Sequence, residues 1–351
     1  MNYRRITAAV TALAAVLSAA SCSSVKEKKK VSTPEPEPVT IAAGSVEFEW
    51  QDAYSSILSG AESSEDARFD LIDLNADGTP ELILSLNSDE SATCTIYTFA
   101  DGAAVTLGEA GSSGRVEYIP QKNLIHSLYV GDSFEIGEYF EITDSTLVSD
   151  IKFFSSYGMD NGGSLILEIN DEPAERDDFD EQVAAYASED SIEAGRRYSL
   201  TASAVDYALK YSEGWTAVLT ASQKQLYSEK LADYLEIDYA NAAFDLCDFN
   251  GDNIPELIVS TGTYDADICR VFTITDDNGH EMLSEVTGDF GGYGVISYDI
   301  DNKLPFAENA EGVYSFDLTG ADLGSYSPSG STMVCGRRFF LSTENIASVL
   351  G

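Results

Sequence analysis

Two short stretches carry oxygen-bearing side chains at a spacing that can hold a cation. The first is Asp73-x-Asn75-x-Asp77-Gly78-Thr79-Pro80-Glu81, and the second is Asp248-x-Asn250-x-Asp252-Asn253-Ile254-Pro255-Glu256. Oxygens fall at loop positions one, three, five and nine. Alternate side chains of a tight loop converge on one point, where a hard cation offsets their mutual repulsion. Calcium suits such a set because it takes six to eight oxygen ligands in flexible geometry. Two structural Ca2+ sites are therefore expected. Asp73, Asn75, Asp77 and Glu81 ligate the first, and Asp248, Asn250, Asp252 and Glu256 the second. The carbonyls of Thr79 and Ile254 complete them at position seven. Position six must turn sharply, which Gly78 does freely and Asn253 tolerates better than most residues.

The elements around these loops read as strands. Pro80 and Pro255 are followed by Leu-Ile-Leu and Leu-Ile-Val, and position twelve holds Leu84 or Val259. A helix–loop–helix EF-hand needs a bidentate Glu at position twelve, so an EF-hand label would fit the loop but not its surroundings. A dockerin is excluded in the same way, since its loop runs into a helix. The pattern resembles the calcium hairpins of FG-GAP and VCBS-type repeats, which carry an acidic residue at position nine and set such loops between strands. In those families that residue is usually Asp, where this chain has Glu81 and Glu256. The resemblance is confined to the loop and its strands. It implies strand–loop–strand calcium sites on an extracellular protein. Two copies cannot close a propeller of about 4–8 blades.

The loops sit inside a longer repeat. Residues 69–85 read FDLIDLNADGTPELILS and residues 244–260 read FDLCDFNGDNIPELIVS. Cys94 and Cys269 keep the same register, and Gly195-Arg196-Arg197-Tyr198-Ser199-Leu200-Thr201 matches Gly336-Arg337-Arg338-Phe339-Phe340-Leu341-Ser342. Trp50, Tyr54, Ile57 and Leu58 recur at helical spacing, as do Tyr227, Leu231, Tyr234 and Leu235. Trp50 belongs to that apolar stripe and is expected in the core. Alternating segments at 95–99, 115–119, 124–130, 139–142, 150–154 and 164–169 read as an antiparallel meander. Residues 175–187 read as an acidic helix, within an elaboration spanning 170–191 that the second copy lacks. Thr201 and Ser342 each precede a short closing helix as hydroxyl caps. The expected fold class is α+β and β-rich. Two homologous modules are expected, residues 45–209 and 210–351, each an antiparallel meander with a DxNxDG β-hairpin flanked by short helices. No closed propeller is expected.

The N-terminus points to export. Arg4 and Arg5 precede an apolar run from Ile6 to Ala20, and Ala19-Ala20-Ser21-Cys22 offers small residues before a cysteine. That order is the secretory pattern, and the ending resembles the lipobox of bacterial lipoproteins, with Ala19 where Leu is commoner. The resemblance implies a signal peptide over 1–21 and lipidation of Cys22. Residues 22–44 then form a stalk, with Lys26, Lys28, Lys29 and Lys30 near anionic headgroups and Pro34-Glu35-Pro36-Glu37-Pro38 as an extended spacer. The whole arrangement resembles secreted lipoproteins of Gram-positive bacteria. It implies a membrane partner through the lipid, a location on the extracellular face of the cytoplasmic membrane, and an extracellular protein or glycan ligand.

Charge and composition narrow the function further. The chain has 60 acidic and 20 basic residues, a formal net charge of −40. Such a surface repels nucleic acid, which is not expected as a partner. Past Cys22 the cysteines are Cys94, Cys247, Cys269 and Cys335, too few and too irregular for a disulfide scaffold or a zinc site. Cys247 and Cys269 could pair across strands, but unpaired buried thiols are the expectation. No catalytic residue is expected: Gly131-Asp132-Ser133-Phe134 resembles a GDSL block without its Asp-x-x-His partner, and His280-Glu281 lacks a second histidine. Arg196-Arg197 and Arg337-Arg338 could clamp an anion or pair with a local carboxylate, the latter being expected. The functional expectation is a surface lipoprotein for binding or scaffolding. The alternative is a carbohydrate-directed hydrolase with structural calcium, whose carboxylate pair the many acidic residues would hide.

Overall fold

The computed structural model describes residues 49–351, apart from 62–63, 76, 120–122, 144–145, 158–164, 188–190, 212–217, 238, 240 and 311. The expected signal peptide, Cys22 and the stalk lie outside the described residues. Helix α1 (Glu49–Gly60) precedes β1 (Arg68–Ile72), the first acidic loop and β2 (Glu81–Ser85). Then come β3 (Cys94–Ala100), β4 (Ala103–Ala110), β5 (Val116–Ile119), β6 (Leu124–Val130), β7 (Phe134–Ile142) and β8 (Leu147–Tyr157). The first half closes with β9 (Leu165–Ile169), β10 (Glu172–Pro173), α2 (Arg176–Ala187), β11 (Ile192–Ala194), β12 (Tyr198–Ser199) and α3 (Ala202–Lys210).

The second half opens with α4 (Ala221–Leu235), β13 (Ala243–Cys247), the second loop and β14 (Glu256–Ser260). It continues through β15 (Cys269–Asp277), β16 (His280–Phe290), β17 (Ile296–Asp299), β18 (Leu304–Asn309), β19 (Gly312–Phe316) and β20 (Asp322–Ser325). It closes with β21 (Thr332–Cys335), β22 (Phe339–Phe340) and α5 (Thr343–Leu350).

These strands form three antiparallel sheets. One has the order β10-β9-β8-β7-β6-β5-β11 and one β16-β15-β14-β13-β22. The third is ten strands wide, in the order β20-β19-β18-β17-β21-β12-β1-β2-β3-β4. It takes its loop hairpin from the first half and its other edge from the second, and the join is the pairing of Tyr198 with Met333. The hairpins have the same register in both halves. Phe69 pairs with Leu84 and Ile72 with Glu81, as Phe244 pairs with Val259 and Cys247 with Glu256. The short strands after the double arginines also match, with Tyr198 beside Phe69 and Phe339 beside Phe244.

Alternation along the hairpin strands explains the layers. Phe69, Leu71, Leu82 and Leu84 face α1 and α3, where Trp50, Tyr54, Leu58 and Val205 are buried. Ile72, Ile83 and Ile96 point the other way and pack against Val116, Tyr118 and Ile125 of the seven-stranded sheet. In the second half Phe244, Leu246, Leu257 and Val259 meet Tyr227 and Leu231 of α4. The outer face of the seven-stranded sheet is closed by α2 through Phe179, packed on Tyr139, Ile151 and Phe153. The core that holds Trp50 also holds Cys247, Ile258, Tyr298 and Met333, so the two halves share it.

The caps fall where the hydroxyls predict. Thr201 accepts from Ala204 N and Ser342 from Asn345 N. Gly195 and Gly336 lie at φ of +101° and +112°, and a Cβ there would sit 3.0 Å and 2.9 Å from the sulfurs of Cys94 and Cys269. Only glycine allows that approach. Strand β4 departs from expectation: its sequence AAVTLGEA is rich in residues with weak strand preference, yet it pairs with β3 through seven residues. Sheet pairing overrides propensity here.

Candidate metal centres

Each acidic loop is a tight hairpin connection held by its own side chains. In the first, Asp77 N donates to Asp73 Oδ1 at 3.1 Å and Gly78 N to Asp73 Oδ2 at 3.0 Å. Asp77 N also donates to Asn75 Oδ1, and Thr79 N to Asp77 Oδ1 at 2.7 Å. In the second, Gly251 N and Asn253 N donate to the two oxygens of Asp248 at 2.7 and 3.0 Å. Asp252 N donates to Asn250 Oδ1 and Ile254 N to Asp252 Oδ1. Gly78 and Asn253 both take positive φ, +90° and +66°, as position six requires.

Position nine is the buried anchor. Glu81 is 0% exposed and Glu256 is 1% exposed. Glu81 accepts from Leu74 N at 2.8 Å, Asn75 Nδ2 at 3.2 Å and Thr98 Oγ1 at 3.0 Å. Glu256 accepts from Phe249 N at 2.8 Å, Asn250 Nδ2 at 3.2 Å and Thr273 Oγ1 at 3.1 Å. Burial pushes Glu81 up to about 7 and Glu256 up to about 8; the backbone and threonine hydrogen bonds pull back, and the loop aspartates add to the rise. Among the described residues, both carboxylates take dispersed hydrogen bonds from neutral donors, with no full positive charge beside them.

Thr98 and Thr273 were not foreseen as site residues, and neither were two tyrosines. Tyr54 Oη donates to the carbonyl of Pro80 at 2.9 Å, and Tyr227 Oη donates to that of Pro255. The signal was present as the tyrosine common to both helical stripes, one helix before each loop. The predicted ligands are otherwise brought together in two matching sets. In each set the asparagine amide stands between two carboxylates: Asn75 Nδ2 donates to Asp77 Oδ2 and Glu81 Oε1, and Asn250 Nδ2 to Asp252 Oδ2 and Glu256 Oε1. That amide keeps the acidic oxygens apart. Among the described residues, the acidic or thiol group whose ligand atoms all lie within 4.8 Å of one another is instead Asp245, Cys247 and Cys335. The backbone carbonyls of Thr79 and Ile254, expected at position seven, belong to residues that the loops fasten through their N–H groups.

The double arginines correct the expectation of a local partner. Arg197 makes a two-pronged bond to Asp245 of the second half, at 2.8 and 3.1 Å. Arg338 reaches back to Asp70 of the first half at 2.8 Å and to the carbonyl of Leu71. Both aspartates are buried, and each also accepts a backbone N–H from its own half, Gly195 to Asp70 and Gly336 to Asp245. The carboxylates thus bridge the halves in a reciprocal pair. Arg196 and Arg337 instead donate to loop carbonyls, among them Asn87 and Gly262.

Other candidate chemistry is accounted for locally. Gly131, Asp132 and Ser133 form the turn between β6 and β7, closed by Gly131 N donating to Phe134 O. His126 pairs through Nδ1 with Glu117 at 3.0 Å and stacks on Tyr139. A depression of about 380 Å3 beside α4 is lined by Glu229, Lys230, Asp233, Glu281 and Met282, with no aromatic ring among its lining residues. No protein family, curated protein or solved structure matches the chain.

Proposed function

We propose that this chain is a duplicated, calcium-stabilised protein that serves binding or scaffolding, displayed by an N-terminal lipid outside the cytoplasmic membrane and without catalysis of its own. The observation that carries the calcium reading is the matched pair of buried glutamates. Each sits among hard oxygen donors at the mouth of a DxNxD loop and, among the described residues, takes its hydrogen bonds from neutral groups. Both copies of the repeat keep this set in the same register, which favours a common ligand over an incidental turn. The donor set fits calcium: carboxylates, an amide oxygen and a peptide carbonyl are the ligands it takes. Asn75 and Asn250 would turn their amide oxygens toward the ion. Asp73, Asp77 and Glu81, with Asp248, Asp252 and Glu256, would supply charge, and Thr79 and Ile254 their carbonyls. A bound ion would supply the positive charge that the loops lack.

Thermal melts of the chain with calcium and with chelator test this. Calcium at about millimolar concentration should raise Tm, as ligand binding to the folded state requires. Asp77→Ala together with Asp252→Ala should remove the rise. A wild-type melt indifferent to calcium refutes the metal reading. The anchor is tested separately: Cys22→Ala should move the protein from the membrane fraction into the medium, and retention on the membrane would count against lipidation.

A further inference from the structure

We infer that Cys247 and Cys335 are a disulfide-forming pair that ties β13 to β21 across two sheets of the second half. Both thiols are buried, at 0% and 1% exposure, and their sulfurs lie within 4.8 Å of each other beside the Asp245 carboxylate. Gly336 N donates to Asp245 Oδ2 at 3.1 Å, which holds the chain after Cys335 against the strand that ends at Cys247. Comparison of the halves singles out the pair. The positions matching Cys247 and Cys335 are Ile72 and Ala194, so both cysteines occur together in one half and neither occurs in the other.

The third nearby thiol behaves differently. Cys269 corresponds to Cys94, which has the same packing under a glycine in the first half, where these two partner positions hold no cysteine. The pairing of Cys247 with Cys269 considered from sequence is ruled out by register. Cys247 lies opposite Glu256 and Cys269 opposite Ser260, on the two sides of β14. That places them roughly 13 Å apart along the strand and two strand spacings of about 4.8 Å across. A disulfide needs Cα atoms within about 7 Å. A metal at Asp245, Cys247 and Cys335 is disfavoured as well. Both carboxylate oxygens are taken by the Arg197 guanidinium, whose Nη2 also lies 3.7 Å from Cys247 Sγ. Three donors are one short of a closed tetrahedral zinc site.

In the reaction each thiol loses its S–H bond, an S–S bond forms, and two electrons and two protons pass to a small external disulfide, which becomes two thiols. Burial keeps that oxidant away from the folded chain, so the bond forms during folding. The inference is independent of the calcium loops. The full chain should be refolded in oxidised and reduced glutathione, alkylated, and digested without reduction by a Glu-specific protease. Residues 237–256, 257–281 and 312–344 then separate the three cysteines. Peptide 237–256 should appear joined to 312–344, and Tm should be higher after oxidative than after reductive refolding. Cys247→Ile with Cys335→Ala, the residues of the first half, should fold and abolish that difference. Complete alkylation of all cysteines, a join to 257–281 instead, or stoichiometric zinc in place of the bond would each overturn the pairing.

Discussion

Glu81 and Glu256 have folded pKa values of about 7 and about 8, raised first by burial. An unfolded glutamate titrates near about 4.3, so folding favours the protonated form. In chelator, the contribution of these groups is fully present below that value and is lost as pH rises through about 7 to 8. At about 1.4 kcal/mol per pKa unit these shifts correspond to about 4 kcal/mol for Glu81 and about 5 kcal/mol for Glu256, large beside the usual net stability of a domain. On the proposed reading calcium would bind the ionised form and oppose that trend. Melts in chelator should therefore fall between about pH 4.5 and 8 while melts in calcium fall less or not at all, and Glu81→Gln with Glu256→Gln should flatten the chelator curve. A chelator curve already flat in the wild type would contradict the assignment. Tyr54→Phe removes one buried hydrogen bond and leaves the Pro80 carbonyl unpaired, for a loss of about 1–3 kcal/mol by urea unfolding.

At the scale of elements, the hairpin was legible because its signals are local. Proline after the loop and a strand-like Leu-Ile run reveal the strand, and Leu84 and Val259 at position twelve exclude the helix. The caps at Thr201 and Ser342, and the helix over 175–187, follow the same logic. What stayed hidden depends on distant pairing. Nothing in AAVTLGEA announces a strand, and no local rule tells Arg197 to choose Asp245 over a nearer carboxylate. The arginine–aspartate bonds bring the sharpest test at this scale. Arg197 and Asp245 are 11% and 1% exposed, so removing one partner strands a buried charge. Arg197→Ala should cost about 3–5 kcal/mol. Arg197→Met with Asp245→Leu should restore much of it, because two apolar groups leave no charge behind. A single substitution that costs nothing in urea unfolding would show the bond to be dispensable.

At the scale of the molecule, the repeat was visible in sequence but its consequence was not. Residues 47–351 form one compact unit, and its largest sheet draws strands from both halves. The join at Tyr198 and Met333, the shared core and the two reciprocal arginines all lie between them. Unfolding should therefore be a single transition, with calorimetric and van't Hoff enthalpies in agreement. Two resolved transitions would mean that the halves are separate folding units.

The reciprocal arginines also bear on how the gene can change. Two matching stretches in one chain invite recombination that deletes the segment between them, leaving a single copy. Such a product would keep one aspartate and one arginine, drawn from Asp70 or Asp245 and Arg197 or Arg338. In the observed geometry the carboxylate paired with each of these arginines belongs to the opposite half. A single-copy chain could then satisfy its buried charges only by meeting another like itself, with each protomer's arginine in its partner's aspartate. Contraction of the repeat would turn an internal contact into a two-fold dimer, and a chain unable to dimerise would be selected against.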